Sequence, residues 1–184
     1  MRVIAGSARR IHLNTVAGMD VRPTTDRIKE TLFNIIAGEL YDCSFLDLFS
    51  GSGAIGIEAL SRGAREAVFV DKNKASIACI EDNLKRTHLR GKAQVIQSDC
   101  ISSIDRLSSL GRRFDLIFMD PPYGKSLERD VLGTLSRSKA ADKQTLIIIE
   151  ASLGTDFSYL ESYGYDLVRT KEYKTNMHIF VRKS

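Results

Sequence analysis

Apolar segments alternate with amphipathic ones from residue 45 onward, and this alternation constrains the fold more than any other feature. Strands are predicted at 45–49, 67–71, 93–97, 114–119, 145–150, 165–171 and 177–182, and helices at 53–62, 74–87, 100–110, 126–138 and 154–163. Nearly continuous apolar strands separated by helices indicate a parallel sheet covered on both faces. The last two strands are too close in sequence for a parallel crossover, so they should form an antiparallel hairpin. The prediction is an α/β domain with a seven-stranded, mostly parallel sheet.

The first forty residues precede this pattern and predict a small extension. Segments 1–6 and 9–13 have the character of two short strands, followed by a turn at 17–18. A threonine at 24 or 25 can cap a helix, and Gly38 is placed to end it. The apolar face of this helix would consist of Ile28, Leu32, Ile35 and Ile36. We therefore expect one domain, residues 1–184, with an extension at 1–40 and a core at 41–184.

Positive charge is concentrated in three stretches of the chain. The sequence has 27 Lys+Arg against 23 Asp+Glu, a formal net charge of +4. The basic stretches lie within residues 1–19, at 85–92 and in the last sixteen residues. If the fold brings them together, they would suit a polyanion such as a nucleic acid. The alternative is that these lysines and arginines are solvated surface residues.

The remaining composition excludes several classes of protein. Cys43, Cys79 and Cys100 are few, far apart and odd in number, which argues against a disulfide framework or a zinc site. We interpret them as small apolar residues and expect no metal. No apolar run approaches the roughly 20 residues of a membrane helix, and the N-terminus lacks the features of a signal peptide. We expect a cytoplasmic protein without a membrane partner.

A glycine-rich turn follows the first strand of the core. Gly51, Gly53 and Gly56 satisfy the pattern G-x-G-x-x-G, with Asp71 at the end of the next strand. This is also the dinucleotide fingerprint, so a nicotinamide cofactor is one interpretation. The other is S-adenosylmethionine, which has no phosphate and carries a cationic sulfonium and an ammonium group. Asp47, just before the glycines, suits such a cation better than it suits a pyrophosphate.

The strand at 114–119 leads into four residues that we call the acceptor motif: Asp120, Pro121, Pro122 and Tyr123. An exocyclic base amine is a poor nucleophile because its lone pair is delocalised into the ring. The Asp120 carboxylate and the Pro121 carbonyl can accept from the amine and localise that pair, and the prolines add no competing N–H. Tyr123 can stack on the base. The motif therefore predicts chemistry on a base amine; the alternative is a strand-ending turn with a solvated Asp.

Acids follow the first four core strands: Asp47, Asp71, Asp99 and Asp120. The carboxyl ends of parallel strands share one edge, where such sheets bind ligands. Asp71 could accept from ribose hydroxyls and Asp99 from an adenine amine, although Asp47 could instead cap the following turn and Asp99 the next helix. We favour S-adenosylmethionine because a nicotinamide enzyme would leave the acceptor motif unexplained. The predicted cofactor site comprises Asp47, Phe49, Gly51, Ser52, Gly53, Asp71, Lys72, Asp99, Cys100 and Asp120.

With these motifs, the chain resembles the RsmD-type small-subunit (16S) ribosomal RNA guanine-N2 methyltransferases essentially from end to end. The resemblance is carried by residues 1–6, 22–27, 32–35, 47–53, 70–71 and the acceptor motif. One departure follows Leu13, where the chain has no proline before the glycine at position 18. The resemblance implies a class I methyltransferase (Rossmann-like) fold, S-adenosylmethionine as donor, a guanine in ribosomal RNA as acceptor, and an extension that helps to hold the RNA.

The catalytic residues are predicted to be those of the acceptor motif, acting on a flipped guanine without a metal. Candidate RNA-binding residues are Arg2, Arg9, Arg10, Arg22 and Arg27. Arg22 and Arg27 could instead form salt bridges with Asp26 or Glu30. The expected partner is ribosomal RNA, in a small subunit or an assembly intermediate, and the expected state is a monomer. Three other functions remain open: a DNA adenine-N6 methyltransferase, a non-catalytic RNA-binding module and a nicotinamide oxidoreductase.

Overall fold

The computed structural model describes residues 1–16 and 25–184. The predicted turn at 17–18 and Arg22 lie outside these residues. The described helices are α1 (Asp26–Ile35), α2 (Ala37–Leu40), α3 (Ala54–Ser61), α4 (Lys74–Arg86), α5 (Cys100–Ser109) and α6 (Leu127–Arg137). The strands are β1 (Ser44–Leu48), β2 (Glu66–Asp71), β3 (Ala93–Gln97), β4 (Leu116–Met119), β5 (Leu146–Ser152), β6 (Tyr165–Glu172) and β7 (Asn176–Lys183).

The seven strands form one sheet in the order β3-β2-β1-β4-β5-β7-β6. The pairs β3/β2, β2/β1, β1/β4 and β4/β5 are parallel, whereas β7 runs antiparallel to β5 and β6. The predicted mostly parallel sheet with an antiparallel C-terminal hairpin is thus confirmed. The chain leaves β1 towards β2 on one side and returns to β4 on the other, so a switch point of the topology lies between β1 and β4.

Two apolar layers cover the sheet because side chains alternate between its faces along each strand. Phe45 and Phe118 belong to a cluster with residues of α1, α3, α4 and the N-terminal segment. Leu46 and Ile117 belong to the opposite cluster, which includes residues of α5 and α6. Burying both faces leaves the strand ends as the place where polar groups can meet a ligand.

The N-terminal segment 1–13 folds back on itself but is not a two-stranded sheet. The backbone N–H of Val3 donates to Ile11 O at 3.0 Å, and that of Leu13 donates to Met1 O at 3.0 Å. These contacts give only an isolated bridge between Arg2 and His12 rather than the two predicted strands. The segment instead uses its other backbone groups to bind α3, so few remain for a ladder.

Glu58 of α3 holds this segment to the core. Its fully buried carboxylate accepts from the backbone N–H groups of Ile4 (2.8 Å) and Ala5 (3.0 Å). It also pairs with Lys29 Nζ at 3.1 Å and Arg62 Nε at 2.8 Å. Burial lowers the pKa of Lys29, although the adjacent Glu58 carboxylate opposes that effect. The extension, α1 and α3 therefore meet at one buried carboxylate.

Two sequence predictions about helices are wrong. Residues 154–163 form turns and one 3-10 turn (Glu161–Tyr163) instead of a helix. Asp156 accepts from the N–H of Ser158 and Thr155 donates to Ser152 O, and such local bonds between side chain and backbone compete with a helix. Gly38 does not end the first helix either, since it lies inside α2. The cap at Thr25 is confirmed: its side chain accepts from the N–H of Ile28.

Candidate active site

A cleft of about 1510 Å³ opens at the carboxyl ends of the parallel strands. Four predicted acids line it: Asp47, Asp71, Asp99 and Asp120. All residues of the acceptor motif line it as well, together with Phe49, Gly51, Ser52, Lys72 and Cys100. Gly53 is buried and does not line the cleft. The fold therefore brings the two sequence motifs, which are about seventy residues apart, to one site at the switch point.

The glycine loop, residues 49–53, has a strained backbone. Phe49, Gly51 and Gly53 have φ values of 60°, 55° and 77°, in the left-handed region that a residue such as Phe49 rarely adopts. Ser50 fixes the loop: its Oγ donates to Asp47 O at 2.6 Å and accepts from the N–H of Val70 at 2.9 Å. Such strain persists where surrounding contacts enforce it and is typical of ligand sites.

Gly56 allows the loop to lie close to the sheet. A Cβ at this position would be 2.4 Å from Phe69 Cε1 and 3.1 Å from Asp47 Oδ2. Asp47 Oδ2 accepts from the N–H of Gly56 at 2.9 Å, so this acid caps the turn after β1, as the structural alternative proposed. Burial raises the pKa of Asp47 to about 7; the hydrogen bond from Gly56 lowers it and Asp71 raises it. A cationic ligand would favour the charged form of this buried acid.

Asp71 and Asp99 accept hydrogen bonds from the backbone of different parts of the fold. Asp71 accepts from the N–H of Gly51 at 2.9 Å through Oδ2 and from the N–H of Asn73 at 2.8 Å through Oδ1. It thereby ties the glycine loop to the end of β2. Asp99 caps α5 by accepting from the N–H of Ser102 at 2.9 Å, and this bond lowers the pKa of its carboxyl. Both acids have a structural role and still line the cleft.

The acceptor motif begins directly after β4. Burial raises the pKa of Asp120 well above its usual range, and the nearby carboxylates of Glu150 and Asp47 raise it further. Pro121 is buried, whereas Tyr123 is 52% exposed. The Asp120 carboxylate accepts no hydrogen bond from residues 1–16 or 25–184 in the structure. Its oxygens therefore keep their acceptor capacity for a donor entering the cleft.

A buried polar network, absent from the sequence predictions, lies on the wall beside Asp120. Glu150 accepts from Asn176 Nδ2 at 2.6 Å and lies 3.2 Å from His178 Nε2. His178 Nδ1 is 3.1 Å from the hydroxyl of Tyr173. Glu150, Tyr173 and Asn176 line the cleft. The signal was available, because Glu150 ends an apolar run in the same way as Asp120 does.

Asn83, also missed, connects the glycine loop to the N-terminal segment. Its Nδ2 donates to Ser52 O at 2.9 Å and to Asn14 O at 3.0 Å, and its Oδ1 accepts from the N–H of Asn14 at 2.8 Å. The side chain is fully buried. Thr15 and Val16, which follow Asn14, line the cleft. One amide thus fixes both the loop and the edge of the cleft.

The predicted RNA-binding arginines are dispersed. Arg2 pairs with Asp26 at 3.0 Å, and Arg9 and Arg10 are exposed. Arg27 is exposed, lines the cleft and forms no ion pair with a described residue, so the alternative salt bridge to Asp26 or Glu30 does not form in the structure. Of the other two basic stretches, 85–92 contributes no residue to the lining of the cleft. The C-terminal stretch reaches it at Lys171 and Lys174.

The described residues contain no cluster of three or more His, Cys, Asp or Glu that could hold a metal ion. Within 1–16 and 25–184, no helix is long and apolar enough to cross a membrane. The three cysteines are free; Cys43 and Cys100 are buried in the apolar clusters, and Cys79 is partly exposed.

Known proteins resemble this chain in sequence and fold. Residues 1–182 match the family described as Conserved hypothetical protein 95. The ribosomal RNA small subunit methyltransferase D of Escherichia coli (strain K12) is 35% identical over 153 residues, covering 83% of this chain and 75% of that protein. YlbH of Bacillus subtilis (strain 168), provisionally named an rRNA methyltransferase, is 37% identical over 172 residues, covering 94% and 92%.

A solved structure of a hypothetical protein from Thermus thermophilus superposes with a TM-score of 0.85 at 28% identity and covers 99% of each chain. A solved structure from Escherichia coli, provisionally named the methyltransferase yhhF, is 31% identical, covers 100% of this chain and 98% of that chain, and gives a TM-score of 0.83. Another from Pyrococcus horikoshii, provisionally named an RNA methyltransferase, is 18% identical and gives a TM-score of 0.75. The architecture is therefore that of class I methyltransferases. The resemblance to RsmD-type enzymes is confirmed by the match along nearly the whole sequence, and the chain belongs to the Conserved hypothetical protein 95 family.

Proposed function

We propose that this protein transfers a methyl group from S-adenosylmethionine to N2 of a guanine in small-subunit ribosomal RNA. One observation carries the proposal: the acceptor motif and the glycine loop, with Asp47 and Asp71, line a single cleft. A methyl donor bound by the glycine loop and a base amine bound by the acceptor motif would meet in this cleft, which accounts for the presence of both motifs there. The names of the Escherichia coli and Haemophilus influenzae relatives, both ribosomal RNA small subunit methyltransferase D, support the choice of RNA.

The chemistry of the cleft fits S-adenosylmethionine. Asp47 is a buried carboxylate without a cationic partner among the described side chains, and Asp71 lies at the end of the adjacent strand. When bound, the cofactor supplies a methyl group activated by a positive sulfonium. The residues that would hold it line the cleft, except Gly53, which would act only through the shape of the loop: Asp47, Phe49, Gly51, Ser52, Gly53, Asp71, Lys72, Asp99, Cys100 and Asp120.

The acceptor motif would act on the base. The Asp120 carboxylate and the Pro121 carbonyl accept the two amine hydrogens and localise the nitrogen lone pair. Burial strengthens these bonds because little water competes for the amine. Asp120 also has a raised pKa, so it is suited to take the proton that the amine gives up after transfer. Tyr123, half-exposed at the mouth, stacks on the flipped base.

The RNA would lie across the mouth of the cleft, where Arg27, Lys171 and Lys174 are found. Arg9 and Arg10 are exposed and would add a separate RNA contact, because the neighbouring Ser7 and Ala8 bond to Ser61 at the end of α3 remote from the cleft. Residues 1–40 would then serve as an RNA-binding extension and residues 41–184 as the catalytic core. The protein would act as a monomer in the cytoplasm, on a small ribosomal subunit or an assembly intermediate. Phosphate contacts of this kind predict that RNA binding weakens as salt rises.

The proposal is tested by incubating the purified protein with S-adenosylmethionine and small ribosomal subunits. The subunits come from Escherichia coli cells that lack their ribosomal RNA small subunit methyltransferase D. Digested RNA is analysed by nucleoside mass spectrometry, and the modified position is mapped by primer extension. We expect N2-methylguanosine at one position. N6-methyladenosine as the product, or no methylated nucleoside on subunits, naked RNA or DNA, would overturn the proposal.

A further inference from the structure

Glu150 is a buried carboxylate whose environment differs from that of a structural acid. Glu58, the other buried glutamate of the core, is neutralised by Lys29 and Arg62. Glu150 has no Lys or Arg partner among the described residues; its Oε2 lies 3.2 Å from Nε2 of His178. A buried carboxylate without a Lys or Arg partner is costly, so a fold rarely keeps one for packing alone.

The network around Glu150 fixes its orientation. His178 connects two of its members: its Nε2 lies 3.2 Å from Glu150 Oε2, and its Nδ1 lies 3.1 Å from the hydroxyl of Tyr173. Asn176 donates its amide to the other carboxylate oxygen at 2.6 Å. Each oxygen of Glu150 thus has one partner and one acceptor site left. His178 is fully buried and packs edge-on against Phe118, so the carboxylate is held rigidly.

Glu150 lies beside Asp120 on the wall of the cleft. Met119 of β4 pairs in register with Ile149 of β5, so Asp120 and Glu150 are the next residues of two neighbouring strands. Both line the cleft. Asn176 Oδ1, on the same wall, is buried and accepts no hydrogen bond from the described residues. The Asp120 and Glu150 carboxylates thus offer unused acceptor sites side by side, which suit a ligand that brings several donors.

We propose that Glu150 is a specificity-determining residue that accepts the N1–H of the target guanine while Asp120 and Pro121 accept its N2 amine. This assignment rests on the proposed function. Guanine presents N1–H next to its amine, and these donors match the acceptors of the wall. Adenine presents a lone pair at N1 next to its amine, which would face a carboxylate lone pair. Tyr173, His178 and Asn176 are positioning residues that hold Glu150.

The base 2-aminopurine separates the two contacts, because it keeps the 2-amine and has a lone pair in place of N1–H. The experiment uses small subunits reconstituted on RNA in which the mapped target nucleotide carries either guanine or 2-aminopurine. Methyl transfer to each is measured for the unchanged protein and for Glu150→Gln, whose amide can donate to a lone pair. Glu172→Gln is the matched control, since Glu172 also lines the cleft but is exposed.

The unchanged protein should prefer guanine by roughly a hundredfold or more, because a site built for a donor rejects an analogue that lacks it. Glu150→Gln should lose most of this preference by slowing transfer to guanine and sparing transfer to 2-aminopurine, and Glu172→Gln should keep it. A preference below about threefold in the unchanged protein overturns the assignment, whether or not the variant folds. An equal loss on both substrates in Glu150→Gln also overturns it. Transfer to neither substrate by the unchanged protein would overturn the proposed function itself.

Discussion

Replacing Glu58 by glutamine should strongly destabilise the protein. The carboxylate accepts from two backbone N–H groups and pairs with Lys29 and Arg62, and the side chains of Glu58 and Lys29 are fully buried. The neutral amide would leave Lys29 as a buried charge without its ion-pair partner and would present N–H groups to donors. Removing one member of a buried pair costs about 3–5 kcal/mol. That is a large part of the roughly 5–15 kcal/mol by which a domain is stable.

Urea unfolding followed by circular dichroism measures this loss. The comparison is valid if the slope of the free energy of unfolding against urea concentration is the same for both proteins. Hydrogen exchange should also accelerate at the amide of Ile4 or Ala5, because each bonds to a different carboxylate oxygen and glutamine keeps only one acceptor oxygen. Glu81→Gln is the control, because its ion pair with Arg90 is partly exposed and should contribute no more than about 1 kcal/mol. If Glu58→Gln cost no more than Glu81→Gln, the reasoning about the buried carboxylate would be refuted.

Three further changes test the cofactor side of the cleft. Burial raises the pKa of Asp47 to about 7, so the folded protein binds more protons than the unfolded chain between about pH 4 and pH 7. Its free energy of unfolding should therefore fall as the pH rises through that range. In cofactor-free urea titrations at pH 5 and pH 8, Asp47→Asn should remove this part of the slope; an unchanged slope would contradict the assignment. Gly56→Ala should cost about 1–3 kcal/mol because its Cβ would meet Phe69, whereas Gly38→Ala, with nothing within 4 Å, should not destabilise the protein in the same assay. Asn83→Ala should weaken cofactor binding, measured by calorimetry, and speed hydrogen exchange at Asn14; unchanged values of both would show that this amide does not couple the loop to the N-terminal segment.

Most of the sheet could be predicted from the sequence because its signals are local. Continuous apolar runs mark the parallel strands, and the short connection before β7 requires an antiparallel pair. The helix predicted at 154–163 failed because its apolar residues also suit a loop, and Thr155 and Asp156 form local turns through their side chains. The two N-terminal strands failed because α3 competes for their backbone groups, which depends on tertiary contacts with Glu58.

Site residues that belong to a contiguous sequence motif could be predicted, whereas residues whose role depends on partners distant in the sequence were missed. The glycine loop and the acceptor motif are each a contiguous segment whose residue types alone indicate the chemistry. Glu150 acquires its environment only through pairing with β7, where His178 lies directly opposite. Asn83 contacts Asn14 across 69 positions of sequence. Contacts of this kind follow from the fold and have no local pattern.

The most direct test of the proposed function is to measure Asp120→Ala for both methyl transfer and cofactor binding. Transfer of labelled methyl groups to small-subunit RNA is compared with calorimetric titration of S-adenosylmethionine, and Asp105→Ala, an exposed acid of α5, serves as the control. The acceptor role predicts that transfer falls by roughly a hundredfold or more. The dissociation constant of the cofactor should change little, because Asp47, Asp71 and the glycine loop would still hold it. Retained turnover in the folded Asp120→Ala protein would contradict it.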